Sequence, residues 1–230
     1  MKKTIKLFIA VFLIVGYGSY AQQNRKQVYD NNNSIRLNFY GSYAFEDSFD
    51  SYYDFGNYYQ GKLKDGFQYG AGLEFEVRPD SYAEILYLRQ DTHAPTQYYN
   101  GGLYDKYANF DVAMNYILLG GNQSFRKTGK NVEGFGGLMA GVAVIDIKNP
   151  STNYSGSATK FAWGLKGGII IWATKSVGLK LQGQLLSVAQ SVGGGVYFGP
   201  GGASTGISSY SSLYQFTVGG GLVFELGDKN

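Results

Sequence analysis

The feature that most constrains this chain is strict two-residue alternation, clearest in its last stretch, Leu213 to Leu226. Phe216, Val218, Gly220, Leu222, Phe224 and Leu226 share one face, and Thr217, Gly219, Gly221, Val223 and Glu225 share the other. That period belongs to a strand whose faces meet different surroundings, and about ten such residues, tilted, cross a bilayer. Seven earlier runs carry the same signal, so the pattern predicts an all-β chain of eight antiparallel up-and-down strands.

Ser34–Phe45 sets Ile35, Leu37, Phe39, Tyr43 and Phe45 against Arg36, Asn38, Tyr40 and Ser42. Gly66–Arg78 sets Phe67, Tyr69, Ala71, Leu73, Phe75 and Val77 against Gln68, Gly70, Gly72, Glu74 and Glu76. Tyr82–Gln90 reads with Ala83, Ile85 and Tyr87 outward and Glu84 inward. In Ala108–Gly120, Phe110, Val112, Met114, Tyr116 and Leu118 oppose Asp111, Ala113 and Asn115, which places Asp111 inside. Val132–Ile147 is apolar on both faces; turning Phe135, Met139, Ala143 and Ile145 outward keeps Asp146 off the lipid. Ala158–Ala173 sets Phe161, Trp163, Leu165, Ile169 and Ile171 against Lys160, Ala162, Gly164, Lys166 and Gly168. The seventh run sets Val177, Leu179, Leu181 and Leu185 against Lys180, Gln182 and Gln184.

Between these runs, 46–65, 91–107, 149–157 and 190–212 read as long loops, while 79–81 and 173–176 are tight turns and 121–131 is of moderate length. An even-stranded barrel with both ends in the periplasm has short connections on that side and long ones outside, and the alternation here has that phase. A secreted soluble barrel of the lipocalin kind is the competing architecture, with its apolar face turned inward around a ligand.

At the other end, Lys2, Lys3 and Lys6 precede an apolar run from Leu7 to Val15, with Ser19 and Ala21 at a small-residue cut site. This predicts a cleaved signal peptide over 1–21, a polar lead-in over 22–33 and a barrel domain over 34–230. The full chain carries 20 Lys+Arg and 17 Asp+Glu, and without the three leader lysines the two signs balance. No nucleic-acid partner follows from such a charge. With no cysteine, disulfides, thiolate metal sites and thiol nucleophiles are excluded. The 34 Gly, 21 Tyr and 15 Phe in 230 residues suit curved walls and aromatic girdles.

With eight strands placed, the chain resembles the small outer-membrane β-barrel superfamily that includes the OmpA transmembrane domain and OmpX-like proteins, especially its Bacteroidetes versions. The most specific piece is a C-terminal insertion signal, here Thr217, Gly219, Leu222 and Phe224. The resemblance implies outer-membrane lipid around a monomeric barrel and the barrel-assembly machinery as a partner during insertion.

A charge facing lipid at mid-bilayer costs roughly 2 to 4 kcal/mol for Arg or Lys, so charges belong on the inner face. Arg36, Glu74, Glu76, Glu84, Asp111, Lys160, Lys166, Lys180 and Glu225 are the candidate lumen charges, with Glu74 and Glu225 as candidate partners for Arg36. An eight-strand interior is just wide enough for side chains to fill, so these would pair and plug it. A narrow channel for ions or small polar solutes is the alternative, and a lipid-modifying enzyme the third reading. For that third reading, the chain's one histidine, His93, falls in an expected loop without a local catalytic signature. No cofactor is implied, and Asp47, Asp50 and Asp54 could at most hold a weak surface cation. Tyr52, Tyr53, Tyr58, Tyr59, Tyr98, Tyr99 and Tyr104 suit recognition of a surface protein or glycan, or an interfacial girdle.

Overall fold

The computed structural model describes residues 34–53, 57–99, 106–126, 129–151, 154–189, 195–199, 202–206 and 213–227. The expected signal peptide with Ser19 and Ala21, and the lead-in over 22–33, lie outside the described residues.

Twelve strands follow in order: β1 (Ile35–Ala44), β2 (Asp47–Tyr53), β3 (Asn57–Leu63), β4 (Gly66–Arg78), β5 (Ser81–Tyr99) and β6 (Lys106–Arg126), then β7 (Val132–Asn149), β8 (Tyr154–Trp172), β9 (Val177–Ala189), β10 (Gly195–Gly199), β11 (Gly202–Gly206) and β12 (Leu213–Leu226). Eight of them, β1, β4, β5, β6, β7, β8, β9 and β12, form a closed antiparallel ring. The first and last strands complete it, in register from Ile35 opposite Leu226 to Ala44 opposite Thr217. The short connections, after β4, β6 and β8, share one end of the barrel, called here the turn end. The connections after β1, β5, β7 and β9 share the other, the hairpin end.

Exposure separates the two faces. Outward side chains such as Phe39, Phe67, Ile85, Ile117, Leu138, Leu165, Leu181 and Phe216 are large, apolar and exposed, while Arg36, Glu74, Glu84, Lys166 and Lys180 are buried inside. This is the inverse of a lipocalin-type barrel, whose apolar side chains would fill the interior behind a polar outer face. The band of exposed apolar side chains needs lipid around it. Among the described residues no helix is long and apolar enough to span a membrane.

Several expected loops are strand. The 46–65 stretch forms the β2/β3 hairpin, and β3 pairs onto the upper part of β5, with Tyr58 opposite Tyr99. Most of 91–107 extends β5 and β6, so His93 sits in a strand opposite Asp111. The 149–157 and 121–131 connections shrink as β6, β7 and β8 lengthen, and 190–212 contains the β10/β11 hairpin. As a result β5 through β8 run 18 to 21 residues, about twice the length a bilayer needs.

That extra length corrects the expected facing of two strands. Phe110, Val112, Met114, Tyr116 and Leu118 of β6, and Phe135, Met139, Ala143 and Ile145 of β7, are buried inside. Asp111 and Asp146 point outward. Lipid does repel these carboxylates, but they avoid it by standing beyond the apolar band, where the outer face meets water. Asp111 is therefore not a lumen charge. On β5 the facing is the expected one, with Tyr82, Glu84, Leu86 and Leu88 buried and Ile85 and Tyr87 exposed.

The wall is tightest beside the closing seam. A Cβ added at Gly221 would lie 1.7 Å from the backbone oxygen of Phe39 on the neighbouring strand. Backbone, unlike the end of a flexible side chain, cannot step aside without breaking the ladder. Gly221→Val should therefore block β1–β12 closure. On a gel of unheated protein it should migrate like the boiled form, whereas wild type should shift on boiling.

Candidate functional site

Two layers of charge fill the interior toward the turn end. In the lower one, Arg36 of β1 reaches across to Glu133 of β7, donating from Nη1 at 2.6 Å and Nη2 at 3.3 Å. Its Nη2 is also 3.8 Å from Glu225. The Trp172 indole N–H donates to Glu133 at 2.9 Å, and the Ser34 hydroxyl donates to Glu225 at 2.6 Å. The Arg36 guanidinium lies 4.2 Å from the Tyr82 ring centroid and 5.2 Å from that of Trp172, so it is stacked as well as paired.

The upper layer begins with two acids placed side by side, because Glu74 of β4 and Glu84 of β5 are register partners. Side-by-side carboxylates in a buried site require cations. Lys180 of β9 supplies one to Glu74 at 2.9 Å, and Lys166 of β8 pairs with Glu84. The Asn122 amide donates to both carboxylates at 3.1 Å, and the Tyr40 hydroxyl donates to Glu84 at 2.7 Å. Phe135, Ile170, Trp172 and Val223 form an apolar cluster alongside the two layers. Lys180 Nζ stands 4.7 Å from the Phe135 ring.

The other candidate positions divide. Lys160 is buried and inward on the upper part of β8. Glu76 is only half-buried and accepts a hydrogen bond from the Asp80 backbone N–H at 3.2 Å, holding the β4–β5 turn. Glu74 is beside Arg36 in register but pairs with Lys180. Glu133, the main partner of Arg36, was not anticipated. It shares its parity with Phe135 and Met139, so the mistaken facing of β7 hid it. Thr217 and Gly219 lie on the inner face of β12, with Leu222 and Phe224 on the outer.

A second constellation occupies the outer face beyond the apolar band. A pocket of about 800 Å³ is lined by Asp91, His93, Asp111, Asp146, Lys148 and Ser155, among others. His93 Nδ1 is 2.9 Å from an Asp111 carboxylate oxygen, and Arg89 pairs with Asp91 at 2.7 Å. His93 thus has an orienting acid, supplied by the neighbouring strand. Its side chain is 62% exposed, so water surrounds the ring. At the base of the β2/β3 hairpin, hydrogen bonds from Lys62 and Lys64 hold the exposed Glu46 carboxyl below its usual range. Among the described residues no group of three or more His, Cys, Asp or Glu could hold a metal.

The fold has solved counterparts. Neisserial surface protein A superposes with a TM-score of 0.55 at 11% identity, covering 84% of this chain and 97% of its own. The outer membrane protein OprG from Pseudomonas aeruginosa gives 0.54 at 11% identity, covering 86% and 97%. The fold is that of a small outer-membrane β-barrel. No family model matches the sequence, and no curated protein matches it. The likeness therefore lies in architecture, and the side chains that fill this barrel must be read on their own terms.

Removing one partner of a buried ion pair leaves the other charge uncompensated, at a cost of about 3–5 kcal/mol. Glu133→Ala should lower the denaturant unfolding free energy of the barrel in lipid or detergent by about that amount. Glu76→Ala, at a partly exposed turn, should change it by only about 0.5 kcal/mol.

Proposed function

We propose that the protein is a monomeric outer-membrane barrel whose interior is plugged and whose strand extension is an interaction surface. The observation that carries this reading is the pairing inside. Arg36 with Glu133, Lys180 with Glu74 and Lys166 with Glu84 place ion pairs across the lumen between opposite walls. Outward apolar side chains support lipid as the surrounding medium, and the barrel's polarity supports a periplasmic turn end. Export would use the leader cut after Ala21, and insertion would use Thr217, Gly219, Leu222 and Phe224 as the assembly signal. These residues also underlie the proposed kinship with OmpA- and OmpX-like barrels of the Bacteroidetes type.

The extension of β5 to β8, with the β2/β3 hairpin paired onto β5, would then stand at the cell surface. It carries the polar pocket around His93 and Asp111 and the exposed Tyr107. The side chains of Tyr52, Tyr53, Tyr58, Tyr59, Tyr98 and Tyr99, and residue Tyr104, lie outside the described residues. A surface protein or glycan is the kind of partner such a polar, Tyr-bearing surface would recruit, with no catalytic step.

Fractionation of the native host should place the mature protein in the outer membrane, in a band that shifts on boiling. A soluble periplasmic protein without a shift would overturn the reading. In planar bilayers wild type should stay at background conductance, and Arg36→Ala or Glu74→Ala should raise it by unpairing the plug. Regular channel steps from wild type would favour a narrow channel for ions or small solutes instead. Replacing residues 47–63 with a short turn should keep the heat shift and abolish partner capture in crosslinked cells.

A further inference from the structure

On the outer wall, Tyr87, Ile117, Val142 and Phe161 stand side by side across β5, β6, β7 and β8, all exposed, and mark the limit of the apolar band. Two outward rows further toward the hairpin end, Asp91 opposes Ala113, Ala113 opposes Asp146, and Asp146 opposes Ser157. Ala113 has no bulk to fill the space between the two carboxylates. The wall is therefore recessed there, and the pocket of about 800 Å³ opens over it. The next outward row adds His93, Asp111, Lys148 and Ser155.

Most of the charge around this recess is already committed. Arg89 holds Asp91 at 2.7 Å, and His93 lies 2.9 Å from Asp111. Two groups stand apart. Among the described residues, Asp146 is reached by the Asn115 amide alone, at 3.5 Å, and Lys148 makes no ion pair. They lie two residues apart on the outward face of β7, with Ser157 and Ser155 as their ladder partners on β8. A carboxylate beside a hydroxyl, next to an ammonium beside a hydroxyl, complements a group that carries both charges. Exposed ion pairs of this kind shift an equilibrium by no more than about fivefold each. A soluble zwitterion would hardly be retained, whereas a lipid standing against the wall meets the recess at high effective concentration. The exposed row from Tyr87 to Phe161, on the bilayer side of the recess, offers acyl chains an apolar surface.

We propose that this recess is a binding site for the head of a zwitterionic lipid, one that carries a primary ammonium and a phosphate. The ammonium docks on Asp146 over the Ala113 floor, and the phosphate takes Lys148 and the Ser155 hydroxyl. Both contacts are charge-assisted hydrogen bonds. A head with a phosphate alone would set its charge against Asp91, Asp111 and Asp146 with nothing to offset them. A head with a quaternary ammonium has no N–H to donate to Asp146. The recess therefore selects by the chemistry of the headgroup and not by net charge alone. This inference rests on the proposed lipid surround of the band and is independent of any protein or glycan partner.

The test inserts the mature protein into vesicles of phosphatidylethanolamine, phosphatidylglycerol and phosphatidylcholine in equal amounts with identical acyl chains. After gentle detergent extraction, mass spectrometry of the intact complex reads which lipid stays bound. A band that shifts on boiling first establishes that each protein is a closed barrel in lipid, so failure of the membrane reading is seen separately. Wild type should retain phosphatidylethanolamine about fivefold more than either other lipid. Asp146→Asn should bring that preference close to one, and Lys148→Gln should lower phosphatidylethanolamine retention about fivefold. Lys130→Gln, at the turn end, should change neither. Equal retention of the three lipids by wild type would overturn the proposal without recourse to any variant. A preference that survives Asp146→Asn, or a Lys148→Gln protein that behaves like Lys130→Gln, would overturn it too, leaving an ordinary annular lipid.

Discussion

Everything in this barrel depends on the hydrogen-bonded seam between its first and last strands. Lipid offers no partner for a backbone N–H or C=O, so a sheet can span a bilayer only when it has no free edge. The β1–β12 register meets that condition from Ile35 to Ala44 without interruption. It also accounts for the glycines beside the seam. Gly219 and Gly221 would drive a Cβ into the backbone of Ser42 and Phe39, so the strands approach there more closely than any side chain allows. Outside the seam, the Phe67 ring lies over Gly41, its Cζ 3.1 Å from where a Cβ would stand, and aromatic bulk replaces the missing side chain.

Once the ring is closed, its interior must be filled from the inner faces alone. Charge fills the turn end and hydrocarbon much of the hairpin end, and the division follows from solvation. Buried ions repay their desolvation only when geometry and additional hydrogen bonds are good. Here each carboxylate has more than one donor. Glu133 takes Arg36 and Trp172, while Glu84 takes Lys166, Tyr40 and Asn122. Such pairs link β1 to β7, β4 to β9 and β5 to β8 across the lumen. Backbone ladders join only neighbours, so these side chains are what ties opposite walls together.

The architecture was legible in the sequence because period-two alternation survives wherever one face meets lipid. β1, β4, β8, β9 and β12 show their inner and outer sets unambiguously, and the short connections after β4 and β8 declare their turns through Pro79-Asp80 and the 173–176 stretch. Legibility failed where the lipid contrast ended. Beyond the apolar band the outer face is polar by choice of solvent, while the inner face of β6 and β7 is apolar by packing. The pattern there inverts, so carboxylates such as Asp111 and Asp146 mimic an interior. One error then produced another, since a β7 facing chosen to shelter Asp146 concealed Glu133. Strand length was also hidden, because Tyr, Gly and Asp in 46–65 and 91–107 resemble loops even when the backbone continues the sheet.

The inversion between band and extension bears on how the barrel sits in its membrane. A strand that changes from apolar-out to polar-out along its length fixes its own depth, since sliding either way puts charge in lipid or hydrocarbon in water. On β5 that change falls between Tyr87 and Arg89, on β6 between Ile117 and Asn115, and on β7 between Val142 and Asp146. These positions are near neighbours in the ladder, since Tyr87 opposes Ile117 and Arg89 opposes Asn115. The boundary is thus a line across the wall. The pocket around His93 and Asp111 lies just beyond it, held at constant height above the lipid by strands that belong to the closed ring. A rigid wall rather than a hinged loop presents that surface, so its chemistry is positioned by the same hydrogen bonds that close the barrel.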